Sequence, residues 1–99
     1  MNMALLKTIN VNPYHVDVLV KIHQLCFSTF WEKKEFENLL ALPTVTGLIL
    51  TLENNEPIGF ILGNYIIDEL DIITFCIVPK YQKQQFGSHL FNLFMENLN

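Results

Sequence analysis

Between residues 81 and 88 the chain reads Tyr-Gln-Lys-Gln-Gln-Phe-Gly-Ser. Lys83 brings a cation, Ser88 a hydroxyl and Gly87 room for close backbone approach, and no carboxylate interrupts the stretch. Hard metal ions want carboxylate oxygens, so this donor set suits an anion instead, a phosphate or pyrophosphate. The cradle needs free main-chain N–H groups as well, and the first turn of a helix supplies them with a partial positive charge. Such chemistry therefore requires a helix beginning at Gly87 or Ser88 and a strand delivering the chain to the loop.

Other reactive residues carry less. His15, His23 and His89 are scattered, and His23 falls on the apolar face of a helical pattern, where a hydrogen-bonded core imidazole is expected. Ser28, Thr29 and Ser88 have no His–Asp company at triad spacing. Asp68, Glu69 and Asp71 surround a turn and read as solvated. Phe30 and Trp31 read as packing residues. Cys26 and Cys76 sit singly in apolar settings, with no Cys-x-x-Cys and no histidine at ligand spacing, so two reduced, buried thiols and no metal are expected.

The elements that would position the loop follow from periodicity. Leu5 to Val11 reads as a strand. Asn12 and Pro13 form a helix start, a cap followed by proline at the first helical position, and Val16, Leu19, Val20, His23 and Phe27 share a face as far as about Cys26. A second helix carries Phe36, Leu39 and Leu40 as its stripe and stops at Pro43. Two strands flank Glu53–Pro57, where Asn54 and Asn55 tolerate positive φ, and a further turn falls at Asp68 and Glu69. Leu70 to Val78 is a third meander strand, nearly all apolar, which implies cover on both faces. Leu90, Phe91, Phe94, Met95 and Leu98 then repeat at helical spacing to the end of the chain.

Length and composition set the frame. The chain has 99 residues, half of them hydrophobic, and a net charge of −4 with no arginine. One domain over residues 1–99 with a packed core is expected. Nucleic-acid binding is not expected, since a basic footprint is lacking. No apolar run reaches the length of a membrane span or a signal peptide, so no membrane partner and a cytoplasmic location are expected.

Two passages resemble the GNAT acetyltransferases, and most closely their ribosomal-protein-alanine N-acetyltransferase branch. One is CFSTFWEKKEFENLL near the start; the other is DELDIITFCIVPKYQKQQFG, which ends in the family's Gln/Arg-x-x-Gly-x-Gly/Ala signature. The resemblance implies an α/β fold, a mixed sheet flanked by helices in the order β-α-α-β-β-β-α. It implies acetyl-CoA as co-substrate, without a metal, and acetyl transfer to a protein N-terminal amine. The signature falls on Gln82 to Gly87, so Lys83, Gln84, Gln85, Phe86, Gly87 and Ser88 are the implied pyrophosphate site. Phe75, Cys76 and Ile77 occupy the strand end whose backbone holds the pantetheine arm. Gln85 stands where the family has its first glycine. The family's further strands and helix, with its general-base Glu and general-acid Tyr, have no counterpart before Asn99. The resemblance thus implies a truncated, incomplete domain whose catalytic residues are unknown and which is inactive alone. A homodimer or a complementing fragment would then cover the open strand edge. A non-catalytic CoA-binding remnant and a small interaction module using that edge are the alternatives.

Overall fold

The computed structural model describes residues 5–98. Four strands form one antiparallel sheet in chain order: β1 (Lys7–Asn10), β2 (Val45–Thr51), β3 (Pro57–Ile66) and β4 (Glu69–Ile77). Helices α1 (Val16–Cys26) and α2 (Lys33–Leu40) lie between β1 and β2, and α3 (Phe86–Asn97) follows β4. The expected element order is the observed one. The boundaries differ slightly: β1 begins at Lys7, the β3–β4 turn falls on Ile67 and Asp68, and α3 starts one residue early, at Phe86.

Both faces of the sheet are covered, as the apolar strands require. Ile49, Phe60, Leu62 and Cys76 pack with Val16, Leu19, Ile22 and Phe36 of α1 and α2. Leu48, Leu50, Ile58, Ile61 and Ile77 point the other way and pack with Phe86, Leu90 and Phe94 of α3. Successive side chains of a strand alternate between faces, so one run of apolar residues fills two cores. Asn55 takes φ 72° in the first hairpin, while Ile67 and Asp68 both take positive φ in the second, the backbone of a type I′ turn. Leu62 pairs with Thr74 and Gly63 with Ile72, leaving Ile73 as a bulged extra residue in β4.

An aromatic cluster ties α1 to the segment that follows it. The buried His23 imidazole stacks on Trp31 at 5.0 Å and lies 4.5 Å from the Phe27 ring, with Phe36 and Phe60 beyond. Its Nδ1 accepts a hydrogen bond of 3.1 Å from the Trp31 N–H, which places the proton on Nε2. Burial holds the His23 pKa below the usual imidazole value, and the Glu35 carboxylate opposes that shift in part. The neutral form is therefore the folded form, while the unfolded chain takes up a proton near about pH 6.5. Stability is fully present above that pH and declines as pH falls below it toward the lower, folded pKa. Denaturant melts between about pH 7.5 and 5.5 should show this slope, and His23→Asn should flatten it. A slope that survives the substitution belongs to another group.

Candidate functional site

At the end of β4 the chain passes Val78, makes a 3-10 turn over Pro79–Tyr81, and enters α3 through residues 82–85. Lys83 and Gln85 both take the left-handed backbone, at φ 64° and 65°. Such a residue other than glycine costs about 1–2 kcal/mol. The position at which the family has a glycine thus does adopt the conformation that glycine favours.

Gln85 is the N-cap of α3, and its carbonyl accepts the first helical bond, 3.1 Å from the His89 N–H. The Gln85 side chain makes no cap hydrogen bond. The amides of Phe86, Gly87 and Ser88 precede that first bond and so belong to the turn whose N–H groups a helix cannot satisfy internally. Gln82 steadies the loop from the other end: its side-chain amide donates to the Ile77 carbonyl at 2.8 Å.

The direction of the β4 main chain follows from its ladder. The Val78 N–H bonds the Ile58 carbonyl. Bonded and non-bonded pairs alternate along an antiparallel ladder. Cys76 therefore exchanges hydrogen bonds with Phe60, while Phe75 and Ile77 turn their amides to the free edge. Gln82 already takes the Ile77 carbonyl. Among the described residues the Phe75 N–H and C=O and the Ile77 N–H remain unpaired, at the mouth of the loop. Gly59 lets β3 pass close beneath this point, since a Cβ there would lie 2.7 Å from the Cys76 carbonyl.

A cleft of about 340 Å³ brings these parts together, lined by Phe75, Cys76, Ile77, Lys83, Phe86 and Gly87 of the expected set. Gln84 and Gln85 are exposed beside it. Ser88 lines an adjoining cleft with Phe75, Gly87, Phe91 and Asn92. Cys26, Phe27, Tyr81 and Gln82 also line the main cleft, and sequence reasoning did not single them out as site residues. Gln82, as the first position of the signature, carried a signal; Cys26 and Phe27 carried none. A Cβ on Gly87 would meet only Phe75 and Ile77 side-chain carbons, at 3.7 and 3.8 Å. Internal packing therefore does not demand glycine there, and the open side of the residue faces the cleft. Phe30 is 42% exposed, so the expectation that it packs in the core fails, whereas Trp31 packs on His23. Tyr81 leans away, its hydroxyl donating to Glu56 at 3.0 Å.

Among the described residues no group of three or more His, Cys, Asp or Glu is placed to hold a metal. No helix there is long and apolar enough to cross a membrane.

The sequence model of the acetyltransferase (GNAT) family matches residues 16–98, and the chain belongs to that family. The structure is similar to the ribosomal-protein-S18-alanine N-acetyltransferase of Escherichia coli, with a TM-score of 0.86 at 19% identity over 94% of this chain. It also resembles Arabidopsis thaliana NAA60, solved with a bisubstrate analogue (TM-score 0.72, 18% identity, 93% of this chain and 66% of that one). A third likeness is the ribosomal-protein-alanine N-acetyltransferase of Brucella melitensis biovar Abortus 2308, at 0.75 and 8% identity over 92% of this chain and 71% of that one. At these identities the likeness is one of fold. The chain spans 59% of the length of the Escherichia coli enzyme. No curated protein sequence matches it.

Proposed function

We propose that residues 1–99 form one partial acetyltransferase domain that binds acetyl-CoA at the β4–α3 junction. The observation that carries this reading is the convergence of unpaired donors on one cleft: the α3 N-terminal amides, the Lys83 ammonium and the outward amides of β4. The donor set fits the group. Phosphate oxygens take N–H groups and a cation, and the amide-bearing pantetheine arm takes strand-like hydrogen bonds from Phe75 and Ile77. Lys83, Phe86, Gly87 and Ser88 would hold the pyrophosphate, with Gln84 and Gln85 at its rim and the Cys76 side chain against the arm. Acetyl-CoA supplies an activated thioester. The Ile77 N–H would be the donor available to its carbonyl oxygen, a position where a hydrogen bond favours transfer.

The acceptor in this reading is a protein N-terminal amine, as in the ribosomal-protein-alanine enzymes it resembles, and the setting is cytoplasmic. Transfer also needs a base for the ammonium and an acid for the leaving thiolate. Among the described residues that line the cleft, the Lys83 ammonium is assigned to the phosphates, the Tyr81 hydroxyl donates to Glu56, and burial pushes the two thiols upward, so no group there is free to serve as the base or the acid. Binding without turnover is therefore expected. Calorimetry should show saturable binding of coenzyme A, and pantetheine, which lacks the pyrophosphate, should bind about a hundredfold more weakly. Thiol release with acetyl-CoA and an N-terminal peptide should stay at background. Equal binding of the two ligands removes the pyrophosphate site. Turnover by the chain alone would place a base that the cleft does not contain.

A further inference from the structure

The two cysteines are 50 positions apart in the chain, yet they meet in the fold. Cys26 is the last residue of α1, and Cys76 lies one residue before the end of β4. Both line the same cleft and pack in the same core cluster. Both are free thiols, Cys76 only 8% exposed and Cys26 half-buried. Cys76 lies against the proposed coenzyme arm, but neither thiol group takes part in the acetyl transfer described above.

We propose that Cys26 and Cys76 are a reversible dithiol–disulfide site in the cleft, oxidised by low-molecular-weight disulfides such as oxidised glutathione or coenzyme A disulfide. The steps balance without another reagent. The Cys26 sulfur, the more accessible of the two, attacks a disulfide RSSR as its thiolate, forms Cys26–S–S–R and expels one RS⁻. The Cys76 thiolate then attacks the Cys26 sulfur and expels the second RS⁻. Each RS⁻ takes up one of the two protons released, so the protein loses two hydrogens and RSSR becomes two RSH.

The environment sets the rate. Burial pushes both thiols up, and the neighbouring thiol offsets that rise in part at Cys26 and adds to it at Cys76. Only a small thiolate fraction exists at neutral pH, so exchange is slow there and quickens in mild alkali. Oxidation would fasten the end of α1 to β4 and draw Phe27, the next residue and a wall of the cleft, toward the outward amides of Phe75 and Ile77. If the cleft is the coenzyme site, which is where this consequence rests on the reading above, the oxidised chain binds coenzyme A less well.

The test uses the full chain in glutathione redox buffers at about pH 8.5. The intact mass should fall by two hydrogens, dithiothreitol should restore it, and a digest should join the peptides carrying Cys26 and Cys76. Cys76→Ser should retain a glutathione adduct on Cys26. The effective concentration of the pair should exceed that in the urea-unfolded chain by about tenfold or more. An equal value in the two states, a bond only between chains, or no reaction of the folded chain would each overturn the proposal. Coenzyme A titration then separates the two readings. Weaker binding after oxidation supports the closure, and unchanged binding refutes it. An intrachain disulfide in a chain that binds no coenzyme in either form leaves the thiol site standing and removes the coenzyme site.

Discussion

Gly87→Leu should lower coenzyme A affinity about a hundredfold or more while leaving the chain at least as stable. The two effects separate because the glycine has no internal duty. It lies at the second position of α3 with an ordinary helical backbone, and its Cβ direction opens on Phe75 and Ile77 at van der Waals distance. A leucine side chain can lie on those two residues, and the helix gains about 1 kcal/mol on replacing glycine. The same side chain stands in front of the Phe86, Gly87 and Ser88 amides. Losing two charge-assisted hydrogen bonds costs about 3–6 kcal/mol, which exceeds the helix gain several times over. Calorimetry and a denaturant melt on one preparation check both halves. Undiminished binding would move the pyrophosphate elsewhere, and a large drop in stability would show that Gly87 is structural.

The free edge of β4 should make the chain self-associate. A strand edge with unpaired amides is a template for another strand, and the Phe75 and Ile77 amides are unpaired here. Ile72 is 41% exposed on the same strand and Ile67 is 90% exposed in the turn before it. An antiparallel pairing of two β4 strands about a twofold axis satisfies both copies with one surface. Light scattering over a concentration series should show a dimer, and Ile72→Lys should shift its midpoint upward by about tenfold. The pantetheine arm and the second strand claim the same amides, so coenzyme A should dissociate the dimer. A complementing fragment, if one exists, would compete in the same way. A monomer at every concentration, with β4 amides protected from exchange, would sink the edge argument.

Hydrophobic periodicity and turn chemistry made the order of elements readable, because each strand and helix is specified by residues close together in the chain. Asn12 and Pro13 start the first helical segment as expected, and the Asn12 side chain does accept the Tyr14 N–H. What sequence hid was long-range. An apolar patch of Phe75, Ile77 and Val78 is what β4 read alone would suggest. Instead, Ile77 is buried under α3 and Phe75 stacks on Phe91 at 6.2 Å, because α3 folds back over the strand that precedes it. Leu25, an apolar residue near the end of α1, is 54% exposed. The meeting of Cys26 with Cys76 depends on how α1 crosses β4, which no local pattern encodes. At the loop, sequence located Gln85 but could not assign its backbone. A positive φ at a glutamine is set by the geometry of the strand end and the helix start together.

Every strand of this sheet pairs with its neighbour in the chain, which keeps the cost of closing loops low for β2, β3 and β4. Pairing β1 with β2 instead waits until both intervening helices have been made. During synthesis α1 and α2 emerge before any strand that can cover Leu19, Ile22 and Phe36, all fully buried in the finished fold. Until β2 and β3 leave the ribosome, these side chains have only each other, so α1 and α2 travel as a nascent segment with their apolar stripes bare. That interval is when the polypeptide is most open to chaperones and to misassembly, and it closes as the meander zips up behind it.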